Sequence, residues 1–216
     1  QIEENIQAYS KFTNIKSGVV FGGTSMQPQI NLLKKGLHIL VATPGRLLDL
    51  RKQGYINLDK IEVLVLDEAD LMLDMGFIDE VQKIIRLSPN LEQRLMFSAT
   101  IPPKVQDLAK SLLKDPERIE VAANSSAAPE VNQRLFLVPK PDKTELMLYL
   151  MRNIIKEKSV LIFRRTKNGV EKALNSLVKN GYKADSLHGD KTQSDRTLAL
   201  NKFKNNEVNI LVATDV

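Results

Sequence analysis

The sequence predicts an α/β protein of two domains, each with a parallel β-sheet flanked by helices. Short apolar runs rich in β-branched residues alternate along the chain with stretches of helical period. This alternation indicates βαβ units, which place their strands in parallel. A small, polar, proline-containing break, AANSSAAPEVNQ at residues 122–133, divides the series in two. We therefore expect one domain at residues 1–123, a linker at 124–132 and a second domain at 133–216.

The predicted strands are short apolar runs of β-rich composition. In the first domain these runs are Val19–Phe21, Ile39–Ala42, Val63–Leu66, Leu95–Phe97 and Ile119–Val121. In the second domain they are Leu135–Val138, Val160–Phe163, Ala184–Leu187 and Ile210–Ala213. Helical period is clear in PPKVQDLAKSLLKD, where the residues that share one apolar face are Val105, Leu108, Ala109 and Leu112.

Composition excludes several classes of protein. The chain has no cysteine and two histidines, which excludes disulfides and thiolate metal sites and argues against zinc. No apolar run approaches the roughly 20 residues that span a bilayer, and no signal-peptide pattern opens the chain. With 43% hydrophobic and 26% charged residues, it resembles an ordinary globular protein, and we expect no membrane partner and a cytoplasmic location.

The net charge is unevenly distributed between the halves. Residues 1–123 carry 15 Lys and Arg against 16 Asp and Glu, a net charge of −1, whereas residues 124–216 carry 16 against 10, a net charge of +6. A basic second half indicates a polyanionic partner. On charge alone, a well-solvated surface explains it equally well.

Three carboxylates follow the apolar strand VLVL in the stretch VLVLDEADLMLDMGF. Ligands of open parallel sheets bind beyond the carboxyl ends of the strands, where Asp67 would hold Mg²⁺ directly or through water. Glu68 would orient or deprotonate an attacking water, as phosphoryl transfer requires. The alternative is an acidic helix N-terminus that includes Asp70, since carboxylates are favourable at the positive end of the helix dipole.

Hydroxyl and glycine residues follow three other predicted strands of the first domain. Ser98 and Thr100, in the SAT at the end of LMFSAT, either hydrogen-bond to the acidic loop beside them or cap the helix that follows. TPGR at 43–46 would place amides and Arg46 at a helix N-terminus, which suits phosphate, but it also fits a plain strand-to-helix turn. Likewise, the glycines of FGG at 21–23 allow close backbone approach or merely a turn.

Polar and basic groups also end three predicted strands of the second domain. They are LIFRRTK at 161–167, LHGDKTQSDR at 187–196 and ATD at 213–215. Any one of these could be a helix cap, but three on one sheet edge favour a site that grips a sugar–phosphate backbone without reading sequence. No G-x-x-x-x-G-K-[ST] loop occurs, so nothing here cradles the β- and γ-phosphates of a nucleotide. That absence and the unfinished ends of the chain suggest a piece of a longer protein.

Together these motifs resemble those of the DEAD-box ATP-dependent RNA helicases, most closely the bacterial RhlE-like branch. In the family's order, they are GG at 22–23, TPGR at 43–46, DEAD at 67–70, SAT at 98–100, LIF at 161–163, HGD at 188–190, Gln193-x-x-Arg196, and Thr214-Asp215. The resemblance implies two RecA-like domains, both incomplete here, that close over ATP and RNA.

The resemblance also implies a role for each matching residue. Asp67 would serve Mg²⁺, Glu68 the attacking water, and Asp70 with Ser98 and Thr100 the coupling of ATP hydrolysis to RNA. The implied RNA-binding residues of the first domain are Gly22, Gly23, Thr43, Pro44, Gly45 and Arg46. Those of the second domain are Thr166, Gly189, Gln193, Arg196, Thr214 and Asp215.

The chain departs from the family pattern in ways that limit its own activity. Only Gln1 remains of the family's PTRELAxQ motif, the adenine-recognising, phosphate-loop and arginine-finger segments are absent, and Leu71 stands where relatives often have Arg. We therefore expect that these 216 residues alone neither hydrolyse ATP nor unwind RNA, although the parent protein does. Two other hypotheses stay open: a non-catalytic nucleic-acid-binding module and a DNA helicase of related architecture.

Overall fold

The chain forms two compact units, residues 1–123 and 124–216. The computed structural model describes residues 1–120, 131–155 and 159–214. In these ranges both units have the predicted α/β fold of parallel sheets flanked by helices. No helix within the same ranges is both long enough and apolar enough to span a bilayer.

Helices and strands alternate through the first unit, as its sequence predicts. In chain order they are α1 (Ile2–Tyr9), β1 (Ser17–Val20), α2 (Met26–Leu33), β2 (Ile39–Ala42), α3 (Pro44–Lys52), β3 (Val63–Leu66), α4 (Ala69–Asp74), α5 (Ile78–Arg86), β4 (Gln93–Met96) and α6 (Pro103–Leu112). The start of α3 follows from its sequence, because Pro44 is preset for a first helical turn. In α5, acidic residues occupy the first turn and basic residues the last, which complements the helix dipole.

The strands of the first unit form two parallel pairs. Strand β1 pairs with β2, with Val20 opposite Ala42 at the carboxyl end. Strand β3 pairs with β4, with Leu66 opposite Met96. Each pair therefore ends in register, and the loops that follow its two strands leave the same edge side by side.

Buried aliphatic side chains between strands and helices hold the first unit together. One cluster packs β3 against α5 and α6 through Leu66, Val81 and Leu108. Another packs β1 against α2 and α3 and includes Val20 and Leu50, both fully buried. Both clusters anchor strands at their carboxyl ends, where the predicted site residues begin.

The second unit contains one three-stranded parallel sheet in the order β5-β7-β6. Its helices and strands are a short 3₁₀ turn (Lys140–Asp142), α7 (Lys143–Leu150), a π-helical turn (Met151–Ile155), β5 (Val160–Phe163), α8 (Lys167–Lys179), β6 (Ala184–Leu187), α9 (Gln193–Lys204) and β7 (Ile210–Ala213). The hydroxyls of Thr166 and Thr192 cap α8 and α9 by accepting hydrogen bonds from Gly169 N and Asp195 N. Strand β7 is buried along its whole length, as expected for a central strand.

Two predicted strands are wrong. Ile119 and Glu120 belong to no strand, Ile119 is 86% exposed, and Val121 lies outside the described residues. The run Leu135–Val138 is irregular, and Leu137 is 92% exposed. Both runs have strand-like composition, but neither finds a hydrogen-bonding neighbour in the described residues, and propensity without pairing does not make a strand.

Other strand boundaries shift by one or two residues. Strand β1 spans Ser17–Val20 where Val19–Phe21 was predicted, and β4 spans Gln93–Met96 where Leu95–Phe97 was predicted. Strands β2, β3, β5, β6 and β7 have the predicted bounds. Most of the predicted linker, residues 124–130, lies outside the described residues.

We expect Leu177→Ala to destabilise the second unit by about 2–5 kcal/mol, because it opens a cavity in a packed core. Leu177 is fully buried in a cluster with Val170, Ile210 and Val212. The matched control is Val178→Ala, whose side chain is 54% exposed and whose effect should stay within about 0.5 kcal/mol. Denaturant titration measures the free energy of unfolding of each variant, and hydrogen exchange of the β7 amides measures the same change in the second unit. Equal destabilisation by the two substitutions would contradict this account of the core.

Candidate functional site

The acidic loop after β3 is hydrogen-bonded to the loop after β4. Phe97 N donates to Leu66 O at 2.7 Å, and Ala69 N donates to Phe97 O at 3.0 Å. These two bonds continue the parallel ladder beyond the strand ends. They place residues 67–70 directly beside residues 97–100.

Asp70 accepts the hydrogen bonds that join the two loops through side chains. Its Oδ2 accepts from Thr100 N at 3.0 Å and from Thr100 Oγ1 at 2.6 Å. Ser98 Oγ accepts from Asp70 N at 3.2 Å and donates to Thr100 O at 2.7 Å. The bond from the Thr100 hydroxyl is the main cause that lowers the pKa of the Asp70 carboxyl below its ordinary value. The alternative role of Ser98 and Thr100 as helix caps is not observed in the part of the chain that the structure describes, where α6 begins at Pro103 without a side-chain cap.

Asp67 and Glu68 are arranged differently from Asp70. Both are exposed, and within the described residues neither forms an ion pair or a hydrogen bond with Asp70, Ser98 or Thr100. Asp67 Oδ1 accepts from Glu68 N at 2.9 Å, and Glu68 has the left-handed backbone conformation, with φ 52° and ψ 50°. This conformation costs a non-glycine residue about 1–3 kcal/mol and is concentrated at functional sites. The strand end therefore presents two carboxylates to solvent on a strained turn.

The Gly-Gly and TPGR turns lie side by side at the carboxyl end of the β1–β2 pair. Thr43 N donates to Val20 O at 3.1 Å, which aligns the two turns. Arg46 Nη2 donates to Thr24 O at 3.0 Å and so ties α3 to the turn after β1. A Cβ added at Gly22 or Gly45 would meet no atom of the described residues within 4 Å, so packing against them does not require glycine at either position. That open space leaves main-chain amides accessible to a ligand. Pro44 is buried, and the Thr43 side chain makes no capping hydrogen bond to the described residues. A plain strand-to-helix turn stays an alternative.

The three strand ends of the second unit form one row. Arg164 N, after β5, donates to Ala213 O at 2.8 Å, and Thr214 N, after β7, donates to Leu187 O at 3.2 Å. Thr214 therefore lies between the turns after β5 and β6, and Asp215 lies outside the described residues. The exposed Gly189 follows β6 in the same row.

A buried histidine fixes the HGD turn. His188 Nδ1 accepts from Asp190 N at 3.3 Å, so the ring proton is on Nε2, which donates to Glu171 Oε1 at 2.8 Å. The fully buried Ser186 hydroxyl donates to the same oxygen at 2.7 Å. The hydrogen bond from Ser186 is the largest cause that lowers the pKa of the Glu171 carboxyl, and the bond from His188 is the next. Lys167 pairs with Asp190 across the exposed Gly189.

Gln193 and Arg196 lie together on the first turn of α9. Arg196 Nη1 donates to Gln193 Oε1 at 3.1 Å, while Arg196 Nε is buried without a hydrogen-bond partner in the described residues. Helix α9, which Thr192 caps, thus carries a guanidinium group that has one N–H without an acceptor in the described part of the unit. Such a group favours an anionic ligand.

Sequence reasoning missed two polar residues that hold these turns in place. Gln29 bonds to the turn after β1, and Glu171 anchors His188. Gln29 carried a signal, because it lies on the same face of α2 as Met26, Ile30 and Leu33, all more apolar. No comparable indication exists in the sequence for Glu171, because Glu171 borders the apolar face of α8, and charged residues are common at that position on a helix.

Comparison with known proteins identifies the family. The family model described as DEAD/DEAH box helicase matches residues 1–108, and the helicase conserved C-terminal domain matches residues 142–216. The chain belongs to the DEAD/DEAH box helicase family. The sequences DEAD and SAT lie in the two hydrogen-bonded loops after β3 and β4.

Curated relatives of this family match the chain over its whole length. It is 38% identical over 216 residues to the DEAD-box ATP-dependent RNA helicase CshA of Streptococcus pneumoniae, covering 100% of this chain and 41% of that protein. It is also 38% identical to the ATP-dependent RNA helicase RhlB of Shewanella halifaxensis, covering 100% of this chain and 50% of that protein. The chain thus spans about half or less of these relatives' length.

Solved structures of the family share the fold. Dbp5 of S. cerevisiae, bound to RNA and ADP BeF3, matches with a TM-score of 0.83 and 28% identity, covering 98% of this chain and 54% of that chain. A hypothetical ATP-dependent RNA helicase from Sulfolobus tokodaii matches with a TM-score of 0.53 and 31% identity, covering 100% of this chain and 62% of that chain. The likeness to these two solved structures confirms the predicted α/β fold class.

We expect Thr100→Val to raise the pKa of Asp70 toward its ordinary value, because the substitution removes the principal hydrogen bond to the carboxylate. A lowered pKa in the folded state gives stability that is present above the unfolded-state pKa and is lost as pH falls through the folded-state pKa. The substitution should therefore reduce this acid-dependent loss.

A carbon-detected NMR titration of the Asp70 carboxyl measures the change. The matched control is Thr197→Val, which removes an exposed hydroxyl that donates to Gln193 O in the other unit. An Asp70 pKa that stays the same in Thr100→Val would contradict the assignment.

Proposed function

We propose that the protein to which this chain belongs is an ATP-dependent RNA helicase whose ATP hydrolysis is coupled to RNA binding and local duplex unwinding. The observation that carries the proposal is the division of labour in the acidic loop. Asp70 is committed to Thr100 and the neighbouring strand end, whereas Asp67 and Glu68 remain available at the surface. The names of the curated relatives support the same activity.

Asp67 and Glu68 suit the metal and water chemistry of nucleotide hydrolysis. Among the described residues no group of three acidic or histidine side chains converges on a point, so this part of the chain offers no all-protein metal cage. This fits Mg²⁺, which keeps several waters and is held by one or two carboxylates together with nucleotide phosphates. Asp67 would hold the ion through water. The bound Mg²⁺ would neutralise negative charge on the nucleotide phosphates. Glu68 would orient the attacking water and accept its proton.

RNA would be held at the strand-end turns of both units. In the Gly22–Gly23 and Thr43–Arg46 turns, Gly22 and Gly45 lie under space that the described residues leave open, where their main-chain amides can meet a ligand. The second unit presents Thr166, Gly189 and the Gln193–Arg196 pair. These groups suit phosphate and sugar oxygens, whose recognition positions a strand without reading its bases. Thr214 and Asp215 complete the proposed RNA-binding set.

Asp70, Ser98 and Thr100 would link the two functions. Their hydrogen bonds join the loop that carries Asp67 and Glu68 to the adjacent loop. A change at the nucleotide would therefore displace the loop after β4. This is a tight connection, since one carboxylate oxygen accepts both Thr100 donors.

The 216 residues by themselves would be inactive in catalysis. They contain no G-x-x-x-x-G-K-[ST] sequence and span 41% of the CshA relative. We therefore assign the activity to the longer protein and propose a first RecA-like domain at 1–123 and a second at 133–216, joined at 124–132. The RhlE-like branch and a cytoplasmic location stay predictions.

We expect Glu68→Gln to lower RNA-stimulated ATP turnover of the full-length protein by about 10²–10⁴-fold, because the amide cannot accept the proton of the attacking water. Glu62→Gln is the matched control, since Glu62 precedes the same strand that Glu68 follows and is also exposed. Turnover is measured with RNA, with DNA and without nucleic acid.

Each result separates the hypotheses. Stimulation by RNA alone supports the proposed function, and equal stimulation by DNA favours a DNA helicase. Wild-type protein that binds RNA but turns over no ATP would favour the non-catalytic module. Full activity of Glu68→Gln would remove the role given to Glu68.

We expect Gly45→Ala to affect folding and RNA binding in opposite directions. In α3 alanine is a better helix former than glycine, so the substitution should stabilise the first unit by up to about 1 kcal/mol. The added methyl group would occupy the open space above the amides and weaken binding of single-stranded RNA about tenfold, or about 1.4 kcal/mol. Thermal unfolding and fluorescence anisotropy measure the two effects.

Asn175→Ala is the control for helix propensity, because Asn175 is an exposed residue of α8. It should raise stability without changing RNA affinity. An unchanged affinity in Gly45→Ala would exclude the TPGR turn from the RNA site.

A further inference from the structure

Gln29 is a buried polar side chain that no proposed contact with RNA or nucleotide explains. It lies on α2 and is 7% exposed. Among the described residues, its amide makes hydrogen bonds only to the turn between β1 and α2, which contains Gly22 and Gly23. A buried amide with several partners of this kind has a structural task.

The Gln29 amide replaces a strand partner for Phe21. Its Oε1 accepts from Phe21 N at 3.2 Å, and its Nε2 donates to Phe21 O at 3.1 Å. One side chain thus pairs both polar main-chain groups of the first residue beyond β1, as a peptide group of a neighbouring strand would. This pairing fixes the direction in which the chain leaves the sheet toward Gly22.

Thr24 connects this amide to the TPGR turn. Gln29 Nε2 lies 2.9 Å from Thr24 Oγ1 and 3.3 Å from Ser25 O, so the far end of the glycine turn is held as well. The main-chain oxygen of the same Thr24 accepts from Arg46 Nη2 at 3.0 Å. The turn is therefore clamped between Gln29 of α2 and Arg46 of α3.

We propose that Gln29 is a positioning residue for RNA binding, which acts through Thr24 to hold the Gly22–Gly23 and TPGR turns as one rigid phosphate-gripping surface. The inference rests on the proposed RNA-binding function. It adds a residue that touches no RNA itself and that determines the spacing of two turns that do. Rigid placement matters because ordering a loose turn on binding would cost conformational entropy.

The chemistry of the amide gives two informative variants and a control. Gln29→Met keeps the length and loses every hydrogen bond, whereas Gln29→Glu keeps an acceptor for Phe21 N and sets a second oxygen against the oxygens of Phe21 and Ser25. The control is Gln27→Met, on the same helix, since Gln27 is exposed and its amide donates to Asn31, away from the turn.

The test is the affinity of the full-length protein, with ADP and beryllium fluoride, for a fluorescent single-stranded RNA at several salt concentrations. Both Gln29 variants should raise Kd about tenfold. The slope of log affinity against log salt should become shallower by about 0.7 for each RNA phosphate that the variant no longer binds. In Gln29→Met, hydrogen exchange should accelerate at the Phe21 amide, which donates to Gln29 Oε1. Gln27→Met should change none of these values.

A purely structural role gives a different result. Gln29→Met would then lower the thermal midpoint while Kd and the salt slope of the folded protein stayed at their wild-type values, which would overturn the proposal. Wild-type protein that fails to bind RNA would overturn the proposed function and with it the role of Gln29. Wild-type binding with unaffected Gln29 variants would overturn only the role of Gln29.

Discussion

The parallel register of the strands is the constraint on which the rest of the molecule depends. Pairing Leu66 with Met96 makes β3 and β4 end at the same level, and pairing Val20 with Ala42 does the same for β1 and β2. Loops that leave adjacent strands in register are close enough to share hydrogen bonds. A slip of one residue would reverse the faces of the side chains and leave Asp70 away from Thr100.

Hydrogen bonds within the loops turn this proximity into defined geometry. Asp70 joins the acidic loop to its neighbour, Gln29 and Arg46 hold the glycine turn, and Glu171 with His188 holds the HGD turn. In each case a polar side chain pairs with main-chain or hydroxyl groups of a turn, and at Gln29 and His188 it does so in a part-buried setting where an unpaired group would be costly. Asp67, Glu68 and the glycine turns stay exposed, and it is to them that we assign a magnesium nucleotide and a phosphate backbone.

The order of strands and helices could be predicted well from the sequence, because each strand of a buried parallel sheet is a short apolar run and the polar residues after it mark where the strand ends. The residue pattern alone did not show which of the three carboxylates pairs with the neighbouring loop, and only the family resemblance grouped Asp70 with Ser98 and Thr100. The structure adds the hydrogen bonds by which the strand register joins Asp70 to Thr100. Gln29 stands out on an otherwise apolar face of α2, but its hydrogen-bond partners depend on the path of the turn and cannot be predicted from the sequence. Leu135–Val138 was wrongly predicted as a strand because composition does not show whether a neighbouring strand exists. Such errors occur where tertiary contacts decide the local structure.

The most direct measurement is a structure of the full-length protein with ADP, beryllium fluoride, Mg²⁺ and single-stranded RNA. The account predicts Mg²⁺ on the Asp67 side of the acidic loop. It predicts RNA phosphates within hydrogen-bond distance of the main chain at Gly22–Gly23, Gly45 and Gly189. RNA bound at the amino ends of the strands, or a nucleotide site away from Asp67 and Glu68, would contradict the central claim.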